Sequence, residues 1–239
     1  MFITEKNRGF AAENDSLPAT IFCDFDGTIT EIDAVDQLLA QYATPQWREI
    51  EALWEKGLIG SRECLERQID CVGHFTQGDM DKFVRQIGID VSFLPFLGFV
   101  RARQIPFHIV SDGFDLIIRA ILARWGLGDL PLFCNHMALS GDRLKASFPF
   151  GSPDCEKQSG VCKCRVMQNM AAGRPVIYIG DGHSDICASR KADLLFAKGK
   201  LMEFCQDEGR EFVPFENFED IMTAIIKRNR YATEPSCVA

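Results

Sequence analysis

Residues 19–25, ATIFCDF, form an apolar run closed by Gly27, the pattern of a strand buried on both faces. The period then lengthens. Val35, Leu38, Leu39 and Tyr42 recur at helical spacing, and Trp47, Ile50 and Trp54 continue the stripe. Leu65, Ile69 and Val72, then Met80, Phe83, Val84 and Ile87, repeat it twice more. Thr44 before Pro45 reads as a capped helix start, Gly57 as a stop, and Ser61 as the cap of the next helix. Four short helices in succession predict a small bundle over residues 31–89. Beyond it, residues 92–103 read as a helix, IPFHIVS as a buried strand and FDLIIRAILARWG as a helix ended by Gly126. LFCNHMAL and RLKASF fit an antiparallel pair turned by SGD. VCKCRVMQNMA reads as a helix, PVIYIG as a strand, HSDICASRKA as a helix, LLFA as a short strand and FEDIMTAIIKR as the last helix. Residues 1–18 read as a loose leader and YATEPSCVA as a frayed tail.

Strands alternating with helices predict an α/β fold: a Rossmann-like, doubly wound parallel sheet with an inserted small helical-bundle cap domain. The boundaries place the core at 1–30 and 90–239 and the cap at 31–89. Ligands of such sheets bind at the carboxyl ends of the strands. That gathers CDFDG, VSDG and IGDG at one rim, three apolar strands each ending in an acid followed by glycine.

The 239 residues suffice for a core domain with an insertion, and 46% hydrophobic residues can fill it. A net charge of −8 disfavours nonspecific attraction to nucleic acid or to anionic membrane. No apolar run is long enough to span a bilayer, and the N-terminus lacks a signal-peptide core. The expectation is a cytoplasmic protein whose ten cysteines are thiols. Its oligomeric state is left open.

Side chains two apart on a strand share a face, so Asp24 and Asp26 can aim at one centre. Carboxylates are costly to bury alone, and hard oxygen ligands suit Mg2+. Asp181 and Asp185, at another strand end, extend the set of candidate ligands. Taken singly, Asp185 would read as a helix cap. Ser111, with the backbone N–H groups beside Gly113 and Gly27, can hold phosphate oxygens.

DFDGTIT, VSDG, a downstream lysine and GDGHSD are together similar to the four ordered motifs of the haloacid-dehalogenase-like hydrolases, across residues 21 to about 200. The helical insertion resembles the small cap of the phosphoserine-phosphatase-like branch. The resemblance implies that Asp24 is the nucleophile forming an aspartyl-phosphate, and Asp26 the general acid and base. It implies Mg2+ held by Asp24, the Asp26 carbonyl and Asp181, with Asp185 orienting the lysine and metal-bound waters. Thr28 would support the nucleophile loop beside the substrate phosphate. Lys145, Lys157 and Lys163 compete for the lysine role, and Lys163, opening a predicted helix, matches best.

The implied activity is hydrolysis of a small phosphorylated metabolite. Asp33, the Pro45–Trp47 pair, the CNH of 134–136 and the cysteine-rich run before the lysine resemble the phosphatases of methionine salvage, which act on 2-hydroxy-3-keto-5-methylthiopentenyl-1-phosphate. Phosphoserine phosphatases use a cap arginine, and here Gln68 takes that position with Arg67 beside it. Asp112, together with Asp33, could attract the ammonium of phosphoethanolamine or phosphocholine; alternatively Asp112 caps the following helix. A non-catalytic phosphate-ligand sensor is the reading from another class.

Cys155, Cys162 and Cys164 lie close in sequence, and Cys134 could complete four thiolates suited to zinc, although the spacing is not that of a finger. Cys23 and Cys187 read as core packing. His183 reads as a substrate contact or a solvated loop residue. Trp47 and Trp54 read as bundle core or pocket wall.

Overall fold

The structure is a computed structural model that describes residues 18–233. The leader expected before Pro18 lies outside the described residues, as do 234–239. The first strand, β1 (Thr20–Cys23), is wholly buried. After it come α1 (Ala34–Tyr42), α2 (Trp47–Glu55), α3 (Ser61–Asp70) and α4 (Gln77–Gln86). Then follow α5 (Phe93–Ala102), β2 (Phe107–Phe114), α6 (Asp115–Arg124) and the pair β3 (Leu132–Ser140) and β4 (Arg143–Ser147). The last part carries α7 (Lys163–Met170), β5 (Val176–Gly180), a 3-10 turn at His183–Asp185 and α8 (Ile186–Ser189). It closes with β6 (Leu194–Ala197), α9 (Gly199–Asp207), β7 (Val213–Pro214) and α10 (Phe218–Thr233).

The strands form one sheet in the order β4-β3-β2-β1-β5-β6-β7, parallel except for the β3–β4 hairpin. The expected α/β doubly wound sheet is therefore present, with β1 at its centre. From β1 the chain winds outward through β2 and β3, then returns to β5 on β1's other side. That reversal opens a crevice at the carboxyl ends of β1, β2 and β5.

Alternation along β1 assigns its two faces. Ile21, Cys23 and Phe25 join a core shared with residues of α1, α4, α5, α6 and α10. Phe22, with Val110 and Tyr178, packs under residues of α7, α8 and α9. The chain leaves the sheet layer at Thr30 and returns at Ile89, and these two residues face each other in an isolated antiparallel bridge. The helices α1–α4 lie between them.

Several local expectations shift. Trp47 opens α2 after Gln46, and no side chain caps it, so Thr44 is not its cap. Ser61 is the first residue of α3 rather than its cap. The helix expected over 183–192 is a 3-10 turn followed by the four residues of α8. Helix α9 and strand β7 were not foreseen, and α10 runs to Thr233, into the stretch expected to fray.

Candidate active site

Asp24 follows β1 directly, and its N–H donates to the Ile179 carbonyl at 2.9 Å, which locks β1 to β5 at the rim. Phe25 is fully buried, so Asp24 and Asp26 project toward the other side. Strand β2 breaks register against β3 between Val110 and Phe114, which frees Ser111, Asp112 and Gly113 from the regular ladder. The buried Ser111 hydroxyl accepts from the Gly113 N–H at 2.9 Å and donates to Asp26 Oδ2 at 3.3 Å. The other Asp26 oxygen accepts from the Ala34 N–H at 2.9 Å. A Cβ on Gly113 would stand 2.5 Å from Asp26 Oδ2. Gly27 has φ of 70°, and a Cβ there would collide with the Asp181 carboxylate.

Lys163 is the lysine that reaches this rim. Its Nζ lies 2.9 Å from Asp24 Oδ1 and 2.6 Å from Asp185 Oδ1, and donates to the Ser184 hydroxyl at 3.2 Å. It is buried, whereas Lys145 and Lys157 are exposed. Asp185 is saturated. Oδ1 also accepts from the Tyr178 hydroxyl at 2.5 Å, and Oδ2 accepts from the N–H groups of Asp181 and Gly182, each at 3.0 Å. Both Asp185 oxygens thus hold neighbouring groups, and the acid also stands with Asp24 and Asp181 in the group of carboxylates that could hold a metal ion. Its bond from the Gly182 N–H also caps the 3-10 turn at His183–Asp185, as a lone acid there would. Thr28, expected beside the substrate phosphate, is fully buried and donates to Asp181 Oδ1 at 2.5 Å. It orients that acid.

The carboxylates outnumber the ammonium. Burial, then Asp185, pushes the Asp24 carboxyl well above the usual range. Burial, then Asp33, does the same to Asp26. Asp181 is raised to about 6 by burial and by Asp185. Burial pushes the Lys163 amine down, but Asp185 and Asp24 together outweigh it and hold the amine above its ordinary value. Atoms of Asp24, Asp181 and Asp185 come within 4.8 Å of one another. Asp24 Oδ1 is buried with no aligned hydrogen bond despite its ion pair with Lys163. A buried, under-satisfied carboxylate oxygen in an excess of negative charge is what a hard cation would complete.

A cavity of about 380 Å³ opens from these acids toward α1, α2 and α3. Its outer wall is formed by Val35, Trp54, Cys64 and Leu65 with the carboxylates of Asp33, Asp36 and Glu51. Gln68, not Arg67, faces it. Gln68 is buried and donates to Glu51 at 2.6 Å, whereas Arg67 is exposed and pairs with Glu63. Asp33 caps α1 through the Asp36 N–H. Asp112 does not cap α6. One oxygen accepts from the Ser61 hydroxyl and the other from the Val161 N–H, both at 2.7 Å, so it ties α3 to the segment before Lys163. Trp47 is bundle core, while Trp54 lines the cavity with its ring edge-on to His183 at 5.3 Å.

The sequence reading missed Tyr178, Ser184 and Glu51. Tyr178 had a signal: it puts a lone hydroxyl in an otherwise apolar strand, two residues before the glycine of IGDG. The cysteines also regroup. Cys134 sits on β3 beside Asp115 and Arg119. Cys187, expected as core packing, is instead half-buried and near enough to Cys164 to help push that thiol up. No group of three cysteine sulfurs lies within 4.8 Å among the described residues, so the four-thiol zinc arrangement is not formed.

Residues 21–190 match the family model described as haloacid dehalogenase-like hydrolase. The chain belongs to the haloacid dehalogenase-like hydrolases. Among curated members of this family, the 2-hydroxy-3-keto-5-methylthiopentenyl-1-phosphate phosphatase of Bacillus velezensis is 30% identical over 209 residues, covering 86% of this chain and 88% of that one. The same-named protein of Geobacillus kaustophilus is 30% identical over 211 residues, 86% and 94% of the two chains. Among solved structures, a substrate-bound phosphoserine phosphatase superposes with a TM-score of 0.68 at 17% identity, covering 87% of this chain and 99% of that one. A phospho-aspartyl intermediate analogue of phosphoserine phosphatase gives 0.67, also at 17% identity, over 86% and 98%. These two show a shared fold. No helix among the described residues is long and apolar enough to cross a membrane.

Proposed function

We propose that this hydrolase is a Mg2+-dependent phosphomonoesterase of a small metabolite, with Asp24 as nucleophile and Asp26 as general acid and base. The observation that carries it is the placement of Asp24 between the buried Lys163 ammonium and Asp181, with Asp26 held beside Ser111 at the same cavity. Asp24, Asp181 and the Asp26 carbonyl would hold Mg2+, whose positive charge lets a carboxylate approach a phosphate dianion.

The residues' own work follows from their geometry. Ser111 and the N–H groups beside Gly113 and Gly27 bind phosphate oxygens. Asp24 attacks phosphorus, the bond to the ester oxygen breaks, and Asp26 gives that oxygen its proton. Asp26, now ionised, removes a proton from water, which displaces phosphate from Asp24. Lys163 supplies charge throughout, and Asp185 with Tyr178 fixes its amine. Helices α1–α4, residues 31–89, act as the cap that encloses the ester. A phosphate sensor needs neither nucleophile nor acid, so this machinery favours an enzyme.

The substrate we favour is 2-hydroxy-3-keto-5-methylthiopentenyl-1-phosphate, the ester named for the curated relatives. The apolar patch of Val35, Leu65 and Trp54 suits a thioether tail. Among the described residues, the cavity lining outside the Lys163 cluster has Lys200 as its cation and no arginine, so the fork that clamps a carboxylate is missing. The carboxylates of Asp33, Asp36 and Glu51 favour phosphoethanolamine as the second reading. A cytoplasmic setting suits nine described cysteines that are all free thiols. The test is turnover of purified protein with Mg2+ against these two esters, phosphoserine and phosphocholine. The methionine-salvage ester should have the highest kcat/KM. Gln68→Arg should raise kcat/KM for phosphoserine, and Asp24→Asn should abolish turnover of every ester. Full turnover by Asp24→Asn would remove the nucleophile assignment. Phosphoserine as the preferred substrate of the unaltered chain would remove the substrate assignment.

A further inference from the structure

Beside the reaction cavity lies a second chamber that the chemistry above does not use. It measures about 240 Å³, against about 380 Å³ for the reaction cavity, and opens between the α2–α3 turn at residues 57–60 and the loop at 156–159. Its walls are tied together. The Arg62 N–H donates to the Gln158 carbonyl at 3.2 Å, and the Gly160 N–H donates to the Ser61 hydroxyl at 3.2 Å. The chamber is therefore a fixed part of the junction between α3 and that loop.

Among the described residues, Trp54, Ser61, His183 and Ser184 line both spaces and form the partition between them. The two serines are held by the site itself. The Ser61 hydroxyl donates to Asp112 at 2.7 Å, and the Ser184 hydroxyl accepts from Lys163 at 3.2 Å. The other two residues close the partition with their rings. Trp54, half-buried on α2, stands edge-on to His183, exposed on the 3-10 turn, with ring centroids 5.3 Å apart.

The two spaces differ in chemistry. On the reaction side, the outer wall carries the carboxylates of Asp33, Asp36 and Glu51. Beyond the rings, Leu58, Ile59 and Ile186 line the chamber, and the adjacent Glu156 and Lys157 are of opposite sign. Such walls suit an uncharged, apolar chain.

We propose that Trp54 is a specificity-determining residue: its ring, closed against His183, ends the reaction cavity and limits it to esters of short alcohols. The inference rests on the phosphomonoesterase reading and sets the far boundary of that site. With either ring removed the two spaces join, which adds nearly two-thirds to the volume of the reaction cavity. A longer alkyl chain then passes the partition and buries its far end against Leu58, Ile59 and Ile186, with a favourable transfer free energy for each methylene removed from water. The reacting end of the ester is untouched, because Asp24, Asp26 and Ser111 do not line the chamber.

n-Butyl and n-decyl phosphate test this, because both are esters of primary alcohols and their leaving oxygens need the same proton. Each is assayed with Mg2+ below its micelle concentration, on the unaltered full-length chain and on its variants. The unaltered chain should favour the butyl ester. Trp54→Ala should raise the decyl-to-butyl ratio of kcat/KM on the order of tenfold. Trp54→Phe, which keeps an aromatic wall, should hold the ratio near that of the unaltered chain. His183→Ala alters an exposed position, so it serves where Trp54→Ala fails to fold, and should move the ratio in the same direction. Adding Leu58→Asp to Trp54→Ala places a charge in the chamber and should remove most of the gain. A ratio unmoved by both ring removals, or a gain that survives Leu58→Asp, would overturn the proposal. Failure of the phosphomonoesterase reading looks different: the unaltered chain hydrolyses neither alkyl ester nor p-nitrophenyl phosphate, and the proposal falls with it.

Discussion

At the scale of single residues, the decisive feature is how unlike the environments of the two strand-end acids are. Asp24 touches the lysine, while Asp26 is bound by a hydroxyl and a backbone N–H at the mouth of the cavity. Burial and the charge of Asp33 keep Asp26 protonated to higher pH than an ordinary carboxyl, which suits an acid that must deliver a proton near neutrality. Since the protonated form is the active one for leaving-group departure, kcat for an alkyl phosphate should fall as pH rises through that raised value. Asp26→Asn should lower kcat about 10²–10⁴-fold for an alkyl ester. The loss should be much smaller for p-nitrophenyl phosphate, whose leaving group departs without a proton. Equal losses for the two esters, in parallel steady-state assays, would exclude the acid role. Asp24, Asp26 and Asp181 stood out in the sequence because a charge ending an apolar strand is conspicuous, whereas Lys163, opening a helix, was one of three lysines that only the resemblance ranked. The partner of Thr28 and the company of Cys187 were not, because each is set by a contact between distant segments.

At the scale of elements, caps show where local chemistry stops deciding. Thr76 and Asp79 form a reciprocal capping box at the start of α4, wholly local in sequence. Ser61 has the same chemistry available, yet its hydroxyl serves Asp112 and the Gly160 N–H, which join α3 to β2 and to the thiol-bearing loop. The two sites should therefore respond differently. Thr76→Ala should cost about 1 kcal/mol in chemical denaturation and leave KM unchanged. Ser61→Ala leaves the half-buried Asp112 carboxylate short of a partner and should cost about 1–3 kcal/mol while raising KM. An unchanged KM for Ser61→Ala would mean that this link does not shape the cavity. Helix α9 escaped the sequence reading because only Leu201 and Cys205 mark its buried side. Strand β7 escaped because two residues carry no period, and its proline is tolerated only at the sheet's edge.

For the molecule as a whole, the alternation of strands and helices was enough to give the sheet, its layers and the rim where acids converge. It did not give the segment that seats α3, because the contacts of 155–161 with α3 have no local pattern. The convergence of negative charge has a thermodynamic consequence. Asp181 is raised to about 6, so in metal-free protein its contribution to stability is complete at low pH and lost as pH rises through that value. The proposed Mg2+ would take the ionised carboxylates, so its effect should run the other way. In thermal melts, the rise in Tm on replacing EDTA with Mg2+ should be small near pH 5 and larger near pH 7.5. An increment independent of pH would mean that the cation binds elsewhere. The sheet order carries a last consequence, for folding. Strand β1 emerges early in synthesis, but one of its two neighbours is β5, more than 150 residues later. Until that partner arrives, the first acid has no second acid opposite it and the centre of the sheet is an open edge. A nascent chain is thus spared the repulsion of its own acidic cluster, and is most exposed to aggregation just before the cluster comes into being.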